Sequence, residues 1–330
     1  MSKSVPLTDV PNRGPATAVA DCGGTATKVG LVISGRVLRR ESIPSQSDRG
    51  LSQLLDRLPA VLERLCRAAE IESIGSLRGI GLSLPVIVDR SGKVTSALAG
   101  KFDDSPSLDL GAWAKRALGL SVRIENDANA ACLGEWRFGS GRGCENFVIV
   151  TLGTGIGTST IINGRPLRGA NGQAGILGGH LIVSPNGRPC GHGGRGCIES
   201  EVGSAALAEL VRDDPRLAKS GLSAATNVDY ANVFTHAAAG DELATHFRDR
   251  ALNYWGAALV NLIHSYDPSR IAVGGGIMAS SEIILPALRQ FVRDNAWCSG
   301  GVPEIMPATA GDDAALLGME TLFTQATEYS

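Results

Sequence analysis

With 330 residues the chain exceeds what one hydrophobic core of ordinary size organises, so two domains are the natural reading. Apolar residues make up 43% and charged residues 19%, as in soluble globular proteins, and a formal charge of -2 argues against a nucleic-acid partner. No apolar run reaches the roughly 18 residues that span a bilayer, so no membrane association is expected.

Residues 1 to 15 (MSKSVPLTDVPNRGP) are polar and broken by prolines, with no hydrophobic stretch for secretion, and read as a disordered tail. Thr17 to Asp21 is a buried strand. It runs into the turn Cys22-Gly23-Gly24-Thr25, and strands follow at Lys28 to Ile33 and around Val37 to Ile43. Backbone N–H groups bared by glycines, together with the Thr25 hydroxyl, can hold phosphate oxygens, and Asp21 beside them can hold magnesium through water. A plain hairpin turn is the other reading of the same residues. Leucines at helical spacing from Leu51 to Leu65 predict an amphipathic helix over 51–69, bent at Pro59. A strand at Leu77 to Leu84, a hairpin turn at Asp89 to Gly92 and a helix around Leu108 to Leu118 come next. Ser121 to Glu125 is a strand, and Asn126-Asp127-Ala128-Asn129 opens a helix to about Phe138, where Asp127 is either a helix cap or a functional carboxylate.

Strand Asn146 to Val150 leads into Thr151-Leu152-Gly153-Thr154-Gly155-Ile156-Gly157-Thr158, and strand Ser159 to Asn163 returns. This repeats the plan of residues 17 to 33 about 130 residues later, which predicts an internal duplication with two phosphate turns facing across a cleft. Gly169 to Glu201 then gathers His180, Cys190, His192 and Cys197 within eighteen positions. Imidazole and thiolate at that spacing suit a closed, structural zinc site, which would supply folding energy to a glycine-rich loop with little apolar surface; a reduced thiol pair in a loop is the alternative. Gly191, Gly193 and Gly196 match the GxGxxG pattern formally, but no strand enters the run, so a dinucleotide site is rejected. The other five cysteines (Cys22, Cys66, Cys132, Cys144, Cys298) are scattered, a pattern of buried free thiols in a reducing cytoplasm. Helices are predicted at Ser204 to Val211, Val228 to Ala239 and Leu243 to Ile263. Strand Arg270 to Val273 ends in Gly274-Gly275-Gly276, which either lets a flat ring approach or makes a simple turn. A helix at Ile283 to Val292, a short strand at Glu304 to Met306 and a closing helix at Asp313 to Phe323 complete the chain.

The order of these parts resembles the sugar-kinase, actin and Hsp70 superfamily, and within it the ROK family. The resemblance rests on Asp21 to Lys28 (DCGGTATK), Glu125 to Ala131 (ENDANAA), Gly153 to Gly157, Gly274 to Gly276, and the zinc stretch ending Gly196-Cys197-Ile198-Glu199, and it covers roughly residues 17 to 325. It implies an α/β fold of two RNase H-like (actin-like ATPase) domains flanking a cleft, with a zinc-stapled loop. The expected domains are 16–126 with 312–330, and 127–311 with the zinc motif at 180–197. The implied activity is ATP-dependent phosphorylation of a hexose or amino-hexose, with ATP, Mg2+ and Zn2+ as cofactors, a cytoplasmic location and room for a homodimer. By the same resemblance Asp127 is the general base, and Asn126, His180 and Glu199 bond sugar hydroxyls. Nucleotide and magnesium fall to Asp21, Gly23, Gly24, Thr25, Lys28, Gly153, Thr154, Gly155, Gly157, Gly274, Gly275 and Gly276. His180, Cys190, His192 and Cys197 hold zinc.

Two departures from the family pattern stand out. Cys190-Gly191-His192 replaces the usual Cys-x-Cys, giving a His2Cys2 site. Ala174-Gly175-Ile176-Leu177-Gly178-Gly179-His180 is one residue longer than usual and puts Ile176 or Leu177 where a sugar-binding Glu is customary. A sugar-sensing regulator and a catalytically dead homologue are the competing readings. Fifteen residues ahead of the first strand hold no DNA-binding module, which weighs against the regulator; Asp127 and both phosphate turns weigh against the dead homologue.

Overall fold

The computed structural model describes residues 14–97, 100–225 and 227–324, and the expected N-terminal tail lies almost wholly outside them. The chain divides into two compact units, one of residues 1–134 with 313–330, the other of residues 135–312.

In the first unit β1 (Thr17–Cys22), β2 (Ala26–Ile33) and β3 (Arg36–Pro44) form an antiparallel meander. The leucine-rich stretch is two helices, α1 (Leu51–Leu55) and α2 (Leu58–Ala68), and not one bent helix. The break falls at Asp56 and Arg57, and Pro59 sits in the first turn of α2, where its missing N–H leaves no helical bond unmade. β4 (Ile80–Leu84) pairs parallel to β1, and a small separate hairpin, β5 (Val86–Val88) with β6 (Val94–Ala97), forms around the expected turn at Asp89. Asp109 caps α3 (Leu110–Leu118) by accepting from the Ala112 N–H at 2.8 Å, and Gly119 ends it in the left-handed conformation. β7 (Val122–Asn126) closes the sheet in the order β3-β2-β1-β4-β7 and leads directly into α4 (Asp127–Phe138).

In the second unit β8 (Phe147–Leu152), β9 (Ile156–Ile162) and the two-residue β10 (Arg165–Pro166) repeat the meander. After α5 (Ile198–Val202), α6 (Ser204–Arg212), α7 (Tyr230–Ala238) and α8 (Glu242–Tyr266), β11 (Arg270–Gly274) pairs parallel to β8. α9 (Ser281–Asn295) then leads to β12 (Glu304–Pro307), parallel to β11. The order β10-β9-β8-β11-β12 has the same directions, strand for strand, as the first sheet, so the duplication read from two short turns extends to whole units. The helices bury Leu243, Phe247, Trp255 and Leu262 against the sheet, and the Tyr230 hydroxyl donates to the Val202 carbonyl at 2.9 Å.

The closing helix α10 (Ala314–Thr324) packs on β1 and β4 of the first unit. Glu320 accepts the N–H groups of Ser34 and Gly35 at 2.5 and 2.7 Å and clamps the β2–β3 turn. The unit boundary lies after Gly134, inside α4. The reason is a close helix crossing: a methyl group at Gly134 would lie 1.9 Å from the Ala314 carbonyl, and one at Gly318 would lie 1.8 Å from that of Ala130, so the first half of α4 is bound to α10. Cys22, Cys66 and Cys132 are buried free thiols as expected, while Cys144 and Cys298 are only half-buried. Among the described residues no helix is long and apolar enough to cross a membrane.

Candidate active site

Asp21 ends β1 directly opposite Lys28 on β2, and the parallel register with β4 brings Ser83 alongside, its hydroxyl donating to Asp21 Oδ1 at 2.8 Å. Burial pushes the Asp21 carboxyl up, against the pull of Ser83 and Lys28. Between β1 and β2, Gly23 and Gly24 are half-buried and Thr25 is exposed. The Gly24 carbonyl accepts from the Ser47 hydroxyl at 2.8 Å and the Thr25 carbonyl from the Ser45 N–H at 2.9 Å. Oxygens that would repel phosphate are thereby tied back into the protein.

The cap of α4 is Asn126, not Asp127. Its Oδ1 accepts the Asn129 N–H at 3.1 Å and its Nδ2 donates to the Val86 carbonyl at 3.0 Å. Asp127, relieved of that task, accepts the N–H of Ala128 in its own first turn, at 2.9 Å. Burial and, next, the negative charge of Asp21 raise its pKa to about 6, while the Ala128 N–H and Lys101 act in the opposite direction. A carboxylate with that pKa is ionised at neutral pH and still basic enough to take a proton from a hydroxyl. Lys101 and Ser83 carry no motif and were not singled out in the sequence. Ser83 becomes visible only once β4 is known to lie parallel to β1.

The second turn is tighter than expected, Gly153 to Gly155, closed by the Gly153 N–H on the Gly155 carbonyl at 3.0 Å. Gly157 lies in β9, opposite Thr151, and is a strand residue. Here too the carbonyls are occupied: Gly153 accepts from Ser204 at 3.0 Å and Thr154 from Ala205 at 3.3 Å, at the start of α6. Glu199, in the first turn of α5, accepts the Ile156 N–H at 2.9 Å, and a methyl group on Gly155 would come 2.4 Å from its Oε2. Gly275 takes a φ of 94° against the end of β8, where a methyl would meet the Leu152 carbonyl at 2.2 Å. Of the three glycines after β11, Gly274 would bring a methyl within 3.0 Å of Ala308, and Gly276 alone faces open space.

His180, Cys190, His192 and Cys197 come together, their ligand atoms all within 4.8 Å of one another. The knuckle is a turn in which Cys190 N–H reaches the Gly194 carbonyl at 2.8 Å and Gly193 N–H the Cys190 carbonyl at 2.9 Å, with a bridge between Pro189 and Arg195 below it. Gly196 must be glycine: its φ is 69°, and a methyl would lie 1.6 Å from the Ser184 carbonyl. Zinc bonded to sulfur at about 2.3 Å and to imidazole at about 2.0 Å sets neighbouring sulfur and nitrogen ligands about 3.5 Å apart. Cys190 Sγ lies 3.6 Å from His180 Nδ1 and Cys197 Sγ lies 3.9 Å from His192, so the donor set fits the metal. With Nδ1 on the metal side, His180 keeps Nε2 for another partner. Just upstream, Thr158 Oγ1 donates to the Gly175 carbonyl at 2.7 Å and accepts from Gly178 N–H at 2.8 Å, which fixes the longer loop with Ile176 buried and Leu177 half-buried.

Two α/β units of one strand order, each with a glycine–threonine turn between its first strands, define a duplicated protein of the actin-like ATPase class. Within that class the chain belongs to the ROK family, whose model matches residues 17–326. It is 30% identical over 312 residues to a glucokinase of Thermotoga maritima, covering 92% of this chain and 96% of that one. A ROK family glucokinase from Streptomyces griseus, solved in complex with glucose and AMPPNP, is 28% identical with a TM-score of 0.74, over 94% of this chain and 99% of that one. The xylose repressor of Bacillus subtilis is 28% identical over 247 residues, 74% of this chain and 61% of the repressor.

Proposed function

We propose that this protein phosphorylates a hexose or amino-hexose with ATP, using Asp127 as general base. The observation that carries the reading is the Asp127 carboxylate, freed from capping by Asn126, basic at about 6 and beside the Asp21 of a phosphate turn. In the reaction a sugar hydroxyl oxygen bonds the γ-phosphorus, the bond from phosphorus to the ADP oxygen breaks, and the hydroxyl proton passes to Asp127. Positioning and charge stabilisation do most of the work in such a transfer. The turn Gly23-Gly24-Thr25 and the Thr154 and Gly155 end of the second turn hold phosphates through N–H groups, the Gly153 N–H being used to close that turn, with Lys28 and Gly157 in the strands that carry them, and Gly276 gives the adenine ring its approach. Magnesium, held through water by Asp21, would neutralise phosphate charge.

Asn126 keeps one amide hydrogen beyond its bond to Val86, and Glu199 and the Nε2 of His180 are the sugar ligands of the second unit. Zinc on His180, Cys190, His192 and Cys197 is structural: four protein ligands leave no site for water, and the metal orients His180. The half-buried free thiols Cys144 and Cys298 favour a cytoplasmic location. Glucokinase relatives covered almost end to end support the kinase reading over the regulator. A dead homologue draws support only from the absent carboxylate at 176 or 177. Of the two acidic residues of the loop after Gly100, Asp104 gives both oxygens to α1, to Leu51 and Ser52 at 2.5 and 3.0 Å, whereas Asp103 gives Oδ1 to Gly100 N–H at 3.2 Å and is the better candidate to replace it. The test is a screen of hexoses and amino-hexoses with coupled detection of ADP, run beside Asp127→Asn, where turnover by the parent and its loss in the variant are expected.

A further inference from the structure

Lys101 belongs to no motif, yet the fold sets it over the first phosphate turn. A methyl group added to Gly24 would come 3.0 Å from its Cε and 3.6 Å from its Nζ, so the lysine stem lies against the glycine of that turn. The same charge acts on the Asp127 carboxylate. Lys101 is exposed, with its ammonium on a flexible stem beside that turn.

The turn that carries Lys101 is held under strain. Phe102, fully buried, has a φ of 54°, a conformation that a bulky side chain rarely adopts. It persists because several bonds fix it: Phe102 N–H donates to the Ser47 carbonyl at 2.9 Å, and Ser105 N–H to the Phe102 carbonyl at 2.9 Å. Asp103 and Asp104 add their bonds to Gly100 and to the start of α1. Ser47 is shared, since its hydroxyl also bonds the Gly24 carbonyl at 2.8 Å. Strain that is over-determined in this way gathers at functional sites.

From this juxtaposition we propose that Lys101 is a catalytic residue whose ammonium bonds the terminal phosphoryl group of the bound nucleotide and stays with it as it passes to the sugar. The proposal rests on the kinase reading. Phosphorus gains the sugar oxygen and loses the ADP oxygen, the hydroxyl proton goes to Asp127, and Lys101 keeps its own proton, contributing charge alone. A point charge on a four-carbon stem can follow a moving phosphoryl group where a rigid guanidinium fork is better suited to a fixed one.

The experiment is calorimetric titration of the parent, Lys101→Met and Lys101→Arg with Mg-ADP and with a magnesium complex of a non-hydrolysable ATP analogue. Lys101→Met is expected to lose about tenfold in affinity for the triphosphate analogue and less than about twofold for ADP, with Lys101→Arg recovering most of the difference. Lys101→Met binding the analogue within about twofold of the parent, or losing ADP to the same extent, overturns the proposal. A parent that binds neither nucleotide overturns the proposal and the kinase reading together. A parent that discriminates through Lys101 yet phosphorylates no hexose or amino-hexose overturns the kinase reading, and with it the transfer to a sugar, while the contact between Lys101 and the terminal phosphate stands.

Discussion

The Asp127 carboxylate is ionised at neutral pH in surroundings that favour its neutral form. Burial, then Asp21, lift its pKa from 3.8 to about 6, with the Ala128 N–H and Lys101 opposing them. Between those two values the folded protein holds a proton that the unfolded chain has released, so stability falls as pH rises through the window. Asp127→Asn removes that cost: its melting temperature is expected to exceed the parent's at pH 7 to 8 and to match it near pH 4, read by calorimetry across pH. Activity runs the other way. In the parent kcat/KM is expected to fall about tenfold per unit below roughly pH 6, and Asp127→Asn to lower turnover by on the order of 10² or more at any pH. A flat acid limb would remove Asp127 from the role of base. Residues 176 and 177 divide on burial: Ile176→Glu buries a carboxylate and is expected to destabilise the fold, whereas Leu177→Glu is tolerated. If position 177 is where the sugar-binding carboxylate is missing, Leu177→Glu tightens a hexose by about tenfold or more, read as a lower KM with little change in melting temperature.

Among the elements, the His–Cys knuckle and the α4–α10 crossing are each open to test by a single change. Protein purified without added zinc is expected to carry one zinc per chain, and Cys197→Ser to lose the metal, melt lower and bind sugar more weakly, because the loop also sets His180 and Glu199. Full stability without metal would refute the site. At the crossing, Gly318→Ala drives a methyl into the Ala130 carbonyl, and a loss of about 1–3 kcal/mol by denaturant titration is expected. The gathering of His180, Cys190, His192 and Cys197 was legible in the sequence because imidazoles and thiols at such short spacing stand out by type. The crossing was not, since Gly134 and Gly318 are far apart in the chain and neither sits in a turn. The cap of α4 was ambiguous for a related reason: Asn126 and Asp127 are both good capping residues, and only the three-dimensional course of β7 gives the bond to Asn126. The split of α1 from α2 shows the reverse limit, where leucine spacing continues across Asp56 and Arg57, both still in the right-handed helical region, and the helical ladder is interrupted ahead of Pro59, which has no N–H to donate.

For the whole molecule, two copies of one sheet plan could be inferred from two short turns, because each turn sits between the first two strands of its unit. Lys101 escaped that reasoning, being placed by a strained turn and a shared serine and not by any pattern in the sequence. In the proposed reaction a sugar hydroxyl, deprotonated by Asp127, receives the terminal phosphoryl group of ATP. The measurement that tests it most directly is the stoichiometric appearance of ADP and a sugar phosphate when purified protein, magnesium and ATP meet a panel of hexoses and amino-hexoses, with Asp127→Asn in parallel. Equal amounts of both products from at least one sugar, abolished in Asp127→Asn while that variant still binds ATP, is the expected result. ADP release that no sugar stimulates, or sugar phosphate formed equally well by Asp127→Asn, would contradict it.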